Sequence, residues 1–335
     1  MLFGHNNYGD IMCTAISFKA KDHYFGRNLD LYYNYNEKVT ITPKNFPFEF
    51  KLAGKKRSHF AFIGMATVEE NYPLYYDAVN EKGLAVAALN FPDNAFYGDE
   101  EVGKINLSPF ELIPYLLSNF KSVDDALPAI KNINLVNLKF SDKLPVSPLH
   151  FIISDKNRSL VVEPMREGIK IFDNKIGVLT NNPPFDIQLL LLQNFSSLSV
   201  KNPKSAFSPA IKHEPYSLGM GAMGLPGDLS SPSRFVRAAF SKLNSVCNGD
   251  EESAVGQFFH ILGLVEQIKG VTEVKDKLFE YTLYSSCMNT LKGIYYYTTY
   301  ANRSITAVDM RKENLDSDEL ITFDLLRSEK ITFQN

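Results

Sequence analysis

Tryptophan is absent from this sequence, and cysteine occurs only three times. Cys13, Cys247 and Cys287 are odd in number and widely spaced, which fits a reducing compartment without structural disulfides. No excess of either charge is present: 35 Lys and Arg against 38 Asp and Glu leave a formal net charge of −3. No basic stripe or run accompanies that balance, so no nucleic-acid partner is expected. No apolar run is long enough to span a bilayer, so no membrane partner is expected either. The first residues, MLFGHNNYGDI, lack both a basic region and an apolar core, and do not read as a signal peptide. There is no CxxC and no HExxH, and the six histidines are scattered, so neither a metal nor another cofactor is expected. A GxSxG elbow is also missing. The string from Gly219 to Gly224 matches GxGxxG, but Pro203, Pro209 and Pro215 lie upstream where a strand is required. It runs into Leu225-Pro226-Gly227-Asp228 instead of opening a helix, so a dinucleotide site is rejected and a loop leading to Arg234 is expected.

What is present is ordinary in amount and informative in order. Hydrophobic residues make up 44% and charged residues 22% of 335, a soluble globular balance. A chain of this size buries roughly three quarters of its unfolded surface. Phe and Tyr supply 13% aromatics, enough to line an apolar pocket. Period-two runs predict a strand hairpin from Cys13 to Leu29 across Lys19–Asp22, and strands at 39–42, 60–66, 73–79 and 83–90. Ser108-Pro109-Phe110-Glu111 reads as a capped helix start, and Ser122 as another. Strands follow at 149–154, 160–163 and 169–172, then helices at 185–195, 233–246 and 253–269, the last ended by Gly270. A late hairpin, 294–300 and 305–309, turns across 301–304. Strands, then helices, then strands is not the alternation of a doubly wound sheet, so the fold class is α+β. No repeat, low-complexity tract or linker interrupts it, and residues 13–335 are expected to form a single domain.

The stretch Met12–Asp30, MCTAISFKAKDHYFGRNLD, organises the rest. Residues 1–12 differ from it in composition and are expected to be absent from the working protein. They are either a removed leader or, the preferred reading, the product of a wrongly chosen start upstream of Met12. Either route leaves Cys13 first. A free α-amine has a pKa near 7.7–8.0, so it can take a thiol proton without a histidine. The predicted return strand brings Arg27 and Asp30 beside the thiol, the cation to favour the thiolate and the carboxylate to orient the amine. Taken alone, Cys13 is as readily a small buried hydrophobe, and Arg27 with Asp30 a surface ion pair.

Five blocks decide between these readings: MCTAISFKAKDHYFGRNLDL, NYPLYYDAVNEKGLAVAALNFP, GVLTNNPPF, GLPGDLSSPSRFVRAAF and YSSCMNTLKGIYYYTTY. They resemble the bile salt hydrolase (choloylglycine hydrolase) family and its penicillin V acylase relatives, from Met12 to the C-terminus. The resemblance implies an N-terminal-nucleophile hydrolase: a four-layer αββα fold, two stacked antiparallel sheets between helix layers. It implies a bacterial, cytoplasmic choloylglycine hydrolase of lipid and bile acid metabolism, assembled as a homotetramer. Its substrate would be a glycine- or taurine-conjugated bile salt, and its activity hydrolysis of that linear amide through a thioester on Cys13. Penicillin V or an N-acyl-homoserine lactone is the alternative substrate, and an inactive binding homologue with residues 1–12 still attached is the alternative from another class.

Residue by residue, the resemblance implies that Cys13 is the nucleophile, with Arg27 and Asp30 near the thiol and α-amine. Asn90 stands at the oxyanion hole, Asn181 turns its side-chain amide to the oxyanion, and Arg234 supports the cluster. Leu29, Leu135, Leu138 and Phe140 are the substrate-binding candidates by position and by the same likeness. Asn90 favours the bile-salt branch, because the penicillin branch often has an aromatic there. Tyr115 and Phe151 stand where relatives commonly carry Trp, a difference of packing and not of chemistry.

Overall fold

The structure, a computed structural model, describes residues 12–335. The expected fate of residues 1–11 therefore falls outside the described residues. Fourteen strands build two sheets: β1 Cys13–Lys19, β2 His23–Leu31, β3 Lys38–Thr42, β4 Phe62–Glu69, β5 Tyr72–Asn80, β6 Ala85–Asn90, β7 Leu149–Ser154, β8 Ser159–Met165, β9 Gly168–Asp173, β10 Val178–Leu179, β11 Tyr281–Asn289, β12 Ile294–Thr299, β13 Asn302–Asp309 and β14 Ile321–Asp324. One sheet runs β10-β1-β2-β11-β12-β13 and the other β9-β8-β7-β6-β5-β4-β3-β14, every pairing antiparallel. Five α-helices flank them: α1 Leu112–Asn119, α2 Val123–Asn132, α3 Phe185–Leu192, α4 Ser231–Asn244 and α5 Glu251–Gly263.

The residues of the inner strands dictate the layering. Along β1 and β2 both faces are apolar or carry buried polar groups, so neither face tolerates water. Ala15 and Leu29 meet Ile63, Met65, Ala87, Leu89 and Ile152 of the larger sheet in the core between the sheets. Phe235, Ala238, Ala254, Phe258 and Ile261 of α4 and α5 close the other face of the smaller sheet. A second core joins Leu112, Leu116, Leu117 and Val123 of the α1–α2 region to Phe62, Ala78, Val86 and Phe151 on the outer face of the larger sheet. Each Leu, Ile or Phe so buried contributes roughly 1.5–3 kcal/mol. The result is helix, sheet, sheet, helix, as the αββα expectation required. No helix among the described residues is long and apolar enough to cross a membrane.

The β1–β2 register places Cys13 opposite Leu29 and Ala15 opposite Arg27, as the alternation predicted. Gly26 is needed where β2 passes β11: a Cβ there would lie 2.0 Å from the Ser286 carbonyl oxygen. Ser122 caps α2 by accepting from Asp125 N–H at 3.2 Å. Ser108 precedes a 3₁₀ turn, Pro109–Glu111, that leads into α1, and the Glu111 carboxylate accepts the Ser108 N–H at 2.8 Å.

Three expectations are corrected. The helix expected over 253–269 runs from Glu251 to Gly263, because Asp250 caps it two residues early by accepting from Ser253 N–H at 2.8 Å. It ends before Gly270 because the chain turns to bury Val265 and to pair Gln267 N–H with the Thr282 hydroxyl at 2.8 Å. The late hairpin turns more tightly than expected, with Asn302 already paired to Thr299; Arg303 and Ser304 are exposed polar residues on an edge strand, not loop. The strand β11 was not legible, although it lies between β2 and β12. Its buried Ser285, Ser286 and Asn289 break the apolar alternation, and they are satisfied across the sheet, Ser285 Oγ donating to Asn28 Oδ1 at 2.7 Å.

Candidate active site

Cys13 begins β1 and is 1% exposed. Arg27, two positions from its cross-strand partner and on the same face, donates from Nη2 to Cys13 Sγ at 2.5 Å. Main-chain carbonyls hold the guanidinium there. Nη1 donates to Ala88 O and, at 3.3 Å, to Tyr76 O, while Nε donates to Asn28 O at 3.3 Å. Burial pushes the Cys13 thiol up, and the Arg27 cation pulls it back toward the thiolate.

The other end of Cys13 is held from the helix side. Its N–H donates to Asn181 Oδ1 at 2.7 Å. Arg234 of α4, fully buried, donates from Nη2 to the same Oδ1 at 2.9 Å, and from Nη1 to Cys13 O at 2.5 Å and Thr14 Oγ1 at 2.6 Å. Two donors therefore fix which end of the Asn181 amide is oxygen. Its Nδ2 donates to Asn90 O at 2.7 Å, tying the end of β6 to the residue after β10. Asn90 Nδ2 is buried and makes no hydrogen bond among the described residues, a donor held in reserve for something the chain does not supply.

Asp30 accepts the Thr282 hydroxyl at 2.6 Å on Oδ1, while Oδ2 is buried without a partner among the described residues. Its backbone N–H donates to Met12 O at 3.2 Å. Burial pushes its carboxyl up to about 6, against the pull of Arg234, Thr282 and Arg27. A carboxyl raised in the folded state favours folding fully below its unfolded value, near 3.9, and that benefit is lost as pH rises through about 6. Asp30→Asn should therefore gain stability relative to the parent between pH ~4 and ~6.5, by on the order of 2–3 kcal/mol. Denaturant unfolding of both proteins across that window checks it, and a pH-independent difference would refute the assignment. His23, lowered by burial to about 4, titrates in both proteins and cancels.

The structure thus brings Cys13, Arg27, Asn181, Arg234 and the carbonyl of Asn90 into one hydrogen-bonded cluster, with Asp30 at its edge. It turns the oxygen of Asn181, not the amide nitrogen, toward Cys13 N, which corrects the orientation expected from the sequence; the amide nitrogen is spent on Asn90 O. Leu29 is buried directly opposite Cys13. Leu135 packs in the second core, and Leu138 and Phe140 are half-buried beyond it, Phe140 against Tyr72 and Phe110. None of the contacts that join Cys13 to its neighbours involves these three. Sequence reasoning missed Thr282, Tyr76 and Ala88, which act through a hydroxyl or the main chain and leave no side-chain signature. It also missed the tyrosines after β2: Tyr32, Tyr33 and Tyr35 pack ring to ring at 4.9 and 4.5 Å, and Tyr35 and Tyr76 lie against the core that holds Cys13.

This arrangement matches known proteins. Residues 13–323 match the linear amide C–N hydrolases of the choloylglycine hydrolase family. The chain belongs to that family. The bile salt hydrolase/transferase of Lactiplantibacillus plantarum is 53% identical over 318 residues, 95% of this chain and 98% of its own. The bile salt hydrolase/transferase of Clostridium perfringens is 39% identical over 93% of this chain and 96% of its own. A crystal structure of a variant conjugated bile acid hydrolase from Clostridium perfringens superposes with a TM-score of 0.89 at 38% identity, covering 96% of this chain and 100% of that one. The penicillin V acylase of Agrobacterium tumefaciens shares the fold, with a TM-score of 0.73 at 20% identity over 93% of this chain and 91% of its own. For a member of this family, an amide-cleaving nucleophile must be found among the clustered residues, and Cys13 is the one with a reactive atom.

Proposed function

We propose that the chain is a conjugated bile salt hydrolase, cleaving the amide between a bile acid and glycine or taurine with Cys13 as an N-terminal nucleophile. One observation carries this: Cys13 Sγ meets the Arg27 cation while Cys13 N meets Asn181 Oδ1, so thiol and amine are separately held. The working form begins at Cys13, residues 13–335 acting as one domain. The family match, which starts at Cys13, supports that boundary.

In the mechanism, the freed amine takes the thiol proton and Sγ attacks the amide carbon. Negative charge moves to the carbonyl oxygen, where Asn90 Nδ2 is a free donor. Losing one such donor costs about 10²–10³ in turnover. The α-ammonium then gives its proton to the leaving nitrogen, glycine or taurine departs, and a thioester remains. Water, deprotonated by the same amine, releases the bile acid and restores the thiol. The same thioester could pass its acyl group to an amine, in keeping with the hydrolase/transferase names of the two relatives. Asp30, with one unpaired oxygen, would accept from the ammonium. The tyrosines after β2 offer an apolar wall for a steroid. A cytoplasmic homotetramer serving bile acid metabolism is the assembly we expect. Exposed Leu190, Phe207, Tyr216 and Leu218 are apolar surface that it would bury.

Glycocholate and taurocholate should each release their amino acid with a kcat/KM at least about tenfold above that for penicillin V, the scale of about 1.4 kcal/mol. Preference for penicillin V would overturn the substrate assignment while leaving the nucleophile in place.

A further inference from the structure

The ring of His150 lies fully buried between the sheets, outside the cluster described above. It occupies β7, and its neighbour Leu149 pairs with Asn90. Nε2 donates to Thr180 O at 2.8 Å, since a carbonyl only accepts. Nδ1 lies 3.2 Å from Glu163 Oε1, also fully buried. One ring face stacks on Phe91 at 4.2 Å between centroids and 5° between planes. Phe91 follows Asn90 in the chain, and Thr180 precedes Asn181. A single imidazole therefore touches the neighbour of each asparagine.

Glu163 carries the second half of the link. Its Oε1 also accepts the Phe185 N–H at 3.0 Å. Pro183 and Pro184 have no N–H, so this is the first main-chain donor available to α3 after Asn182. The Thr180–Asn181 segment is thus held at both ends by the pair, while Ser231 and Gln188 hold its middle: Asn181 N–H donates to Ser231 Oγ at 2.8 Å and Gln188 Nε2 to Asn181 O at 2.6 Å. Two polar side chains buried this completely are costly unless their contacts are made, which gives the arrangement one geometry.

We propose that His150 and Glu163 are positioning residues for the amide cleavage. They hold Asn90 and Asn181 in register with Cys13 without touching thiol or substrate. This rests on the reading of the two asparagines as the groups around the reacting carbonyl. His150→Phe keeps the stack on Phe91 and removes both polar contacts; Glu163→Gln keeps the shape and changes only the pairing. Glycocholate hydrolysis by each variant should lose tenfold or more in kcat with KM within threefold. The rate and pH profile of Cys13 alkylation by iodoacetamide should stay within twofold of the parent, because the thiol and Arg27 are untouched. Unchanged kcat in folded protein overturns the proposal. So does a parallel fall in alkylation, which would mean general loosening of the core. Where His150→Phe fails to fold, the same comparison on Glu163→Gln decides. Asn181→Ala separates the two layers: if it cuts kcat while the His150 and Glu163 variants do not, only the positioning role is lost. If it too leaves kcat unchanged, the reading of the site itself is lost.

Discussion

Cys13→Ala is expected to remove turnover of conjugated bile salts, by at least about 10⁴-fold, as losing a nucleophile does where a thioester carries the reaction. The fold should survive. The substitution deletes one atom from a site where Arg27 keeps three main-chain acceptors, so the guanidinium is not left unpaired. A hydrogen bond of this kind is worth about 0.5–1.5 kcal/mol net, too little to unfold a chain with two cores. Cys13→Ser tests the nucleophile itself. It keeps an acceptor for Arg27 Nη2 and a donor of similar size, yet a hydroxyl is far less nucleophilic than a thiolate when the only base is an amine. It should therefore bind substrate, fold as the parent does, and turn over only slightly faster than the alanine variant. Circular dichroism and thermal melting establish the fold, and amino-acid release establishes the rate. Retained activity in Cys13→Ala would move the nucleophile elsewhere and dissolve the cluster's meaning.

How much of this was visible beforehand depends on whether a residue acts through its side chain in a regular element. The Cys13–Leu29 hairpin and the helix starts at Ser108 and Ser122 were legible, because apolar alternation and capping chemistry are local. The positions of Cys13, Arg27, Asn181 and Arg234 came from matched blocks, and the structure shows why those blocks are far apart in sequence: β1, the end of β10 and α4 meet only after both sheets stack. The strand β11 escaped because its buried serines and asparagine are paired across the sheet, which no single strand reveals. The orientation of Asn181 escaped for a related reason. Which end of an amide faces the thiol's own nitrogen depends on Arg234, more than fifty positions away. The His150–Glu163 pair escaped because an isolated histidine and glutamate in apolar strands carry no periodicity.

Protein that retains residues up to Met12 should be inactive, and activity should appear when the bond between Met12 and Cys13 is cut. With that bond intact, Cys13 N is a peptide nitrogen. It donates its one hydrogen to Asn181 Oδ1 at 2.7 Å and has no lone pair with which to take the thiol proton. Met12 is itself 9% exposed, its carbonyl bound to Asp30 N–H and its N–H to Glu280, so the extended chain occupies space beside the thiol. A general base is worth about 10²–10⁴ in rate, and that is the factor cutting should restore. A variant with a site-specific protease sequence ending at position 12 permits the comparison on one preparation, intact mass reporting each state. A second signal should move with it. Placing an ammonium next to the unpaired Oδ2 of Asp30 favours its charged form and lowers a carboxyl now at about 6. The fall in stability between pH ~4 and ~6 should then shrink on cutting, because less of the proton is retained by the folded state. Full activity in uncut protein would remove the amine from the mechanism. Activity gained on cutting with no change in that pH dependence would keep the amine and remove Asp30 as its partner.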